Sequence, residues 1–149
     1  MNLKKLSIIL SVILIVFASS TNISSARNIS APTSGNVYVN DLELIDNRMY
    51  LLIKSIIKED FDKDQVSKDV KYLESLIKTL DDKTAKINQE DIEIALSIQA
   101  VLNYYKISII SIKKYIIDKN PDDLISSIIS YSIGSNSSTN LRKFLVKAG

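Results

Sequence analysis

From Asn88 to Lys119 the chain contains no glycine and no proline, and it is dense in isoleucine, leucine, valine and tyrosine. No other stretch restricts the fold as strongly. One apolar row within it reads Ile94, Ile98, Val101, Tyr105, Ile109, Ile112 and Ile116. Its steps are all of four or three, which is the period of a helix. A second row, Ala95, Leu102, Ile110 and Ile117, lies beside the first, and the polar positions are mostly the small or neutral Ser97, Gln99, Asn103, Ser108 and Ser111. A helix apolar around so much of its girth is expected to be buried on several sides. The stretch is therefore predicted to be a long central helix. Asn88 is its expected cap, with Glu90 and Asp91 at the positive end of the dipole and Lys113, Lys114 and Lys119 near the negative end. Pro121 cannot continue the ladder. A strand competes over Lys106 to Ile112, but isoleucine is common throughout this chain, so its β preference carries little weight there.

The other elements follow from similar stripes. A first helix is predicted from about Asp41 to Lys58, with Leu42, Ile45, Met49, Leu52, Ile53 and Ile56 inward. A second is predicted from about Lys63 to Leu80, with Val66, Val70, Leu73, Ile77 and Leu80 at the spacing of a bundle seam. Asp62 or Asp64 is its expected cap. After the central helix, Asn120, Pro121, Asp122 and Asp123 form a strong start signal. That helix carries Leu124, Ile125, Ile128, Ile129 and Tyr131 and is expected to end at Gly134. A flexible joint over 134–139 would then lead to a short last helix, Asn140 to Lys147, with Leu141, Phe144 and Leu145 inward and Arg142, Lys143 and Lys147 outward. The fold class expected is all-α: an antiparallel bundle of about four helices with a long central helix and a short C-terminal helix.

Residues 1–26 read as a secretory signal peptide. Lys4 and Lys5 make a positive start, Leu6 to Phe17 is apolar apart from Ser7 and Ser11, and small residues follow. Cleavage is expected after Ala26, with Ser20 as the close alternative site and a retained N-terminal anchor as the alternative fate. Residues 27–40, with Pro32 and Gly35, read as a flexible linker, and 41–149 as the helical bundle domain. The expected location is outside the cell or in its envelope.

Composition narrows the chemistry. The chain has no cysteine, histidine or tryptophan. Disulfides, cysteine nucleophiles, thiolate metal sites and histidine general bases are thereby excluded. Lys4 and Lys5 account for the formal charge of +2; from Arg27 onward 17 basic and 17 acidic residues balance. A neutral domain lacks the footprint of a nucleic-acid binder. The charge is unevenly spread: residues 40–93 hold 14 acids and 9 bases, and residues 94–149 hold 3 acids and 7 bases. An internal match between the two parts is the simpler expectation. A basic C-terminal third meeting a membrane peripherally, or a partner, is the sharper one.

Asp60, Asp62 and Asp64 alternate as in the opening of a calcium loop, but Gln65 and Lys71 occupy the places where that loop needs glycine and glutamate. Asp118, Asn120 and Asp122 fail in the same way. Tyr104, Tyr105 and Tyr115 are expected to keep their rings in the core and their hydroxyls at the surface. Asn28-Ile29-Ser30 and Asn136-Ser137-Ser138 fit the glycosylation acceptor rule and fall in expected loops. No catalytic, cofactor-binding or metal-ligating residue is assigned, and no enzyme is expected. The leading expectation is an exported, cysteine-free binding protein whose partner is another protein or a cell surface. A membrane-active amphipathic protein, or a carrier of a small apolar ligand, is the alternative.

Overall fold

The computed structural model describes residues 35–148, with side chains over 38–146. The described residues form four α-helices and no strand: α1 (Gly35–Ile56), α2 (Lys63–Thr84), α3 (Ile92–Asp118) and α4 (Pro121–Ala148). The expected leader, and residues 27–34 of the expected linker, lie outside the described residues. Residues 35–40 do not belong to a linker, because α1 already begins at Gly35.

Each helix folds around the stripe that its sequence carries. The inward rows of α1 and α2 are buried throughout, from Leu42 to Ile56 and from Val66 to Leu80. The main row of α3 is buried from Ile94 to Ile112, and α4 adds Leu124, Ile128 and Leu145 to the same core. Burying one such side chain contributes about 1.5–3 kcal/mol, so this shared core is the main term holding the helices together.

Ion pairs and close contacts fix the order of the helices. Asp41 of α1 meets Lys83 of α2 at 2.6 Å, and Arg48 lies over the Tyr72 ring. Glu74 and Asp81 of α2 meet Lys113 and Lys106 of α3 at 2.5 and 2.7 Å. Ser108 Oγ donates to the Ser127 carbonyl of α4 at 2.9 Å, and Ser111 Oγ lies 3.1 Å from Ser126 Oγ. In every pair one residue number rises as the other falls, so successive helices meet in opposite order.

The helix ends show where local chemistry was decisive. Asp62 Oδ1 accepts from the amides of Asp64 and Gln65 at 2.9 and 3.0 Å, a cap that contributes about 1 kcal/mol. Asn88 makes no side-chain cap bond; Gln89–Asp91 forms a 3-10 turn, and α3 begins at Ile92. α3 closes at Lys119, whose φ of 57° is left-handed. That conformation costs a non-glycine residue about 1–2 kcal/mol. The Lys119 ammonium lies 3.4 Å from the Phe61 ring centroid and 5.2 Å from that of Tyr115, an attraction that offsets part of the cost. Asn120 Oδ1 then accepts from the Asp122 amide at 3.1 Å and opens α4.

One expectation needs correction. Gly134 does not end a helix, and there is no separate short C-terminal helix: α4 runs unbroken from Pro121 to Ala148. A methyl group at position 134 would stand 2.7 Å from Tyr105 Cε1 and 2.9 Å from Cδ1. Glycine is there because α3 approaches too closely for any side chain. Its helix penalty of about 1 kcal/mol is small beside the packing around it. The Asn136-Ser137-Ser138 triplet consequently lies within a helix, with Ser138 fully buried, and not in a loop.

Candidate functional site

A charged group sits in the core of this bundle. Asp46 lies on the inward face of α1 between Leu42, Ile45 and Met49, and it is 7% exposed. Its Oδ1 accepts from the Tyr105 hydroxyl of α3. Its Oδ2 accepts from Ser138 Oγ at 2.8 Å and from Arg142 Nη2 at 2.7 Å, both on α4. Ser138 and Arg142 are one helical turn apart, so one face of α4 presents both. Tyr105 also stacks against Tyr131, with ring centroids 6.4 Å apart and planes at 24°. The result is a polar knot joining three helices.

Burial raises the Asp46 carboxyl above the usual aspartate value; its bonds to Tyr105 and Ser138 and the Arg142 charge pull it partly back. Burial, and then the Asp46 charge, push the Tyr105 hydroxyl well above the usual tyrosine range. Tyr105 therefore stays protonated and acts as a donor. Both Asp46 oxygens accept hydrogen bonds from neighbouring helices, so the knot ties α1 to α3 and α4. Arg142 Nε is buried and has no partner among the described residues. Its other side borders an open groove of about 360 Å³ lined also by Val39, Thr139, Lys143 and Val146.

Sequence reasoning placed Tyr105 in the core correctly, but not its hydroxyl, which meets a buried carboxylate instead of the surface. It missed Asp46 altogether. The signal was present: position 46 falls within the apolar stripe formed by 42, 45, 49 and 53. Arg142 was expected outward because the helix break was placed before it.

The residues singled out for metal chemistry have other roles. Asp62 caps α2. Asp118 Oδ1 accepts from the Asn120 amide at 2.9 Å. No group of three or more acidic side chains suited to a cation occurs among the described residues. The lysines near the tyrosines are divided: Lys106 and Lys113 pair with α2, and Lys114 stays exposed. Arg142, Lys106 and Lys113 each draw an acid from the N-terminal half, so part of the charge asymmetry is matched inside the molecule.

The other unusual feature is on the surface. The exposed positions of α3 between Leu96 and Ile110 are Leu96, Ser97, Ala100, Asn103, Tyr104, Ile107 and Ile110, none of them charged. Leu96 is 58% and Ile110 54% exposed. The outer face of α2 carries Lys68, Lys71, Lys78 and Asp82 instead. Residues 89–118 have the length and mean hydropathy, 1.2, to cross a membrane, and half of the qualifying window is buried within the bundle. The core helix of a soluble bundle passes the same test. Comparison with protein-family models, with curated proteins and with solved structures finds no match.

Proposed function

We propose that the chain is an exported, non-enzymatic binding module that docks a helix of a protein partner on the outer arc of α3. The single observation that carries this reading is the uncharged, partly apolar arc from Leu96 to Ile110. The solvent side of a bundle helix ordinarily carries charge. The core of this bundle is closed without the arc, and an apolar patch left outside is characteristic of an interaction surface. The leader pattern of residues 1–26 supports export. A helix is the fitting partner because the arc is one ridge, bounded by α2 on one side and α4 on the other, into which a second ridge can pack.

The two alternatives find less support. A surface-lying membrane helix needs cations flanking its apolar face, and Lys106 and Lys113 are committed to Asp81 and Glu74. A carrier needs an enclosed space between helices; Ser127 and Gly134 pack directly against Ser108 and Tyr105, and the groove beside Arg142 is open.

The test places a photo-crosslinking phenylalanine analogue at Ile107 or, as a control, at Lys68 on the charged face of α2, in an expressing cell. Intact masses are read from the medium and envelope fractions. A discrete protein adduct at position 107 and none at 68 is expected, on a chain beginning at Arg27 or Thr21. No adduct at 107, or the same adducts at both positions, would count against the reading. Dye release from anionic vesicles at micromolar protein would replace it with the membrane alternative.

A further inference from the structure

The arc of α3 has a pattern of its own. Leu96, Ala100, Asn103, Ile107 and Ile110 follow one another in steps of four, three, four and three, and all are exposed. Glu93 precedes them by three and Lys114 follows by four, on the same side and also exposed. This is a heptad seam. It is the second one on α3, since the first is buried in the bundle.

We infer that this seam takes a second copy of the chain, whose α3 runs in the opposite direction, in an isologous dimer. The inference rests on the reading of the α3 arc as a docking surface and names its occupant. An isologous interface must be complementary to itself. The seam has an acid at one end and a base at the other. A parallel copy would set Glu93 against Glu93 and Lys114 against Lys114. An antiparallel copy sets the Glu93 end of each helix beside the Lys114 end of the other. Neither residue is engaged in an ion pair among the described residues, so both charges are available.

The side chains between the ends fit the same pairing. In the register that interleaves the two seams, Ala100 faces Ile110 of the second copy, Asn103 faces Ile107, and Leu96 lies beside the stem of Lys114, whose ammonium reaches Glu93 one turn away. Small positions thus meet large ones, as knobs-into-holes packing requires. From Glu93 to Lys114 the contact line is ~32 Å long, at about 1.5 Å per residue. With Tyr104 and Ile133 exposed beside it, a strip of that length and about one helix diameter, ~10 Å, wide covers on the order of 320 Å², below the roughly 800 Å² per partner of a standard interface and in keeping with a weak, concentration-dependent dimer. Because acids and bases balance from Arg27 onward, no net charge drives the copies apart.

Sedimentation equilibrium of the full chain tests this. Over a range of about 5–500 μM the wild type is expected to pass from monomer to dimer, the regime of a modest interface. Ile107→Glu is expected to remain monomeric throughout. Glu93→Lys and Lys114→Glu are each expected to weaken the dimer by about tenfold, through like charges brought together. The double variant carrying both changes is expected to regain wild-type assembly, because the pair is restored with its sense reversed. All three positions are exposed, and far-ultraviolet circular dichroism confirms that each variant retains its helices. A wild type that stays monomeric overturns the inference, whether the seam is empty or covered by the chain's own Leu6–Phe17 segment. So does a dimer indifferent to Ile107→Glu, or a double variant no better than the singles. A monomer that still forms a foreign adduct at position 107 refutes self-pairing alone and leaves the docking surface standing. A monomer with no adduct there removes both.

Discussion

Asp46→Ala is expected to lower the unfolding free energy by about 3–5 kcal/mol, the cost of removing one partner from a buried ion pair. A small domain has about 5–15 kcal/mol in total, so the loss is severe. The change strands three groups at once. Tyr105 keeps a hydroxyl at 0% exposure, Ser138 keeps one fully buried, and Arg142 loses its only charged contact among the described residues. Each buried orphan costs about 1–3 kcal/mol, and the effects overlap because they share one network. Urea unfolding measures the loss; a change below about 1 kcal/mol, the size of a surface substitution, would mean that water or a rearranged Arg142 replaces the carboxylate.

The same carboxyl gives a pH dependence whose sign is fixed. Its value in the folded chain is raised above the ordinary 3.8. Between those two values the folded chain holds a proton that the unfolded chain has released. The stability from this group is therefore fully present below the ordinary value and is lost as pH rises through the raised one. Asp46→Asn has no such proton. Its urea midpoint, compared with that of the wild type from about pH 3 to 7, isolates the effect from the other carboxylates. The wild type is expected to fall relative to the variant as pH rises, and a constant difference would show that burial does not raise Asp46.

Gly134→Val is expected to cost about 3 kcal/mol, at the upper end of what overpacking a core produces. Helix propensity alone gives the opposite sign, since replacing a mid-helix glycine ordinarily gains stability. The backbone at 134 has an ordinary φ, so conformation does not demand glycine. Space does: the added Cβ meets the Tyr105 ring, and the Tyr104 Cβ stands 3.2 Å away. That ring cannot easily turn aside, being hydrogen-bonded to Asp46 and stacked on Tyr131. Gly134→Ala should show the same conflict more mildly, as a net loss of about 1–2 kcal/mol. Thermal unfolding decides the sign. A more stable alanine variant would show that Tyr105 shifts freely, and the account of a close-fitting α3–α4 seam would fall.

The fold was legible wherever one apolar stripe determined the outcome. Val66 to Leu80 and Leu42 to Ile56 are buried as their spacing required. The second row of α3 was legible only in part: Leu102 is buried, yet Ile117 is 81% exposed. Hydrophobicity marks what a helix offers, whereas burial depends on how many neighbours the bundle supplies, and one arc of α3 has none among the described residues. Gly134 was misread because local propensity carries no information about a ring arriving from another helix. The knot was harder still. Asp46 breaks the rule that apolar stripes stay apolar, and only its partners on α3 and α4 make that tolerable. Ser138 and Arg142 lie 92 and 96 residues away in sequence, and nothing in their local surroundings indicates where they point.

That separation also bears on the order of assembly. The serine contacts between α3 and α4 close loops of 19 and 15 residues, whereas the knot closes loops of 59, 92 and 96. Short loops form at lower entropic cost, so the α3–α4 hairpin is free to organise before α1 arrives. Asp46 then meets its partners only as the last gap shuts, too late to influence the folding barrier. In a chevron, Asp46→Asn should accelerate unfolding and leave the refolding limb nearly unchanged; a slowed refolding limb would place the knot in the nucleus instead. On that basis the buried aspartate acts as a latch: it contributes little to how quickly the bundle forms and sets how long it stays closed.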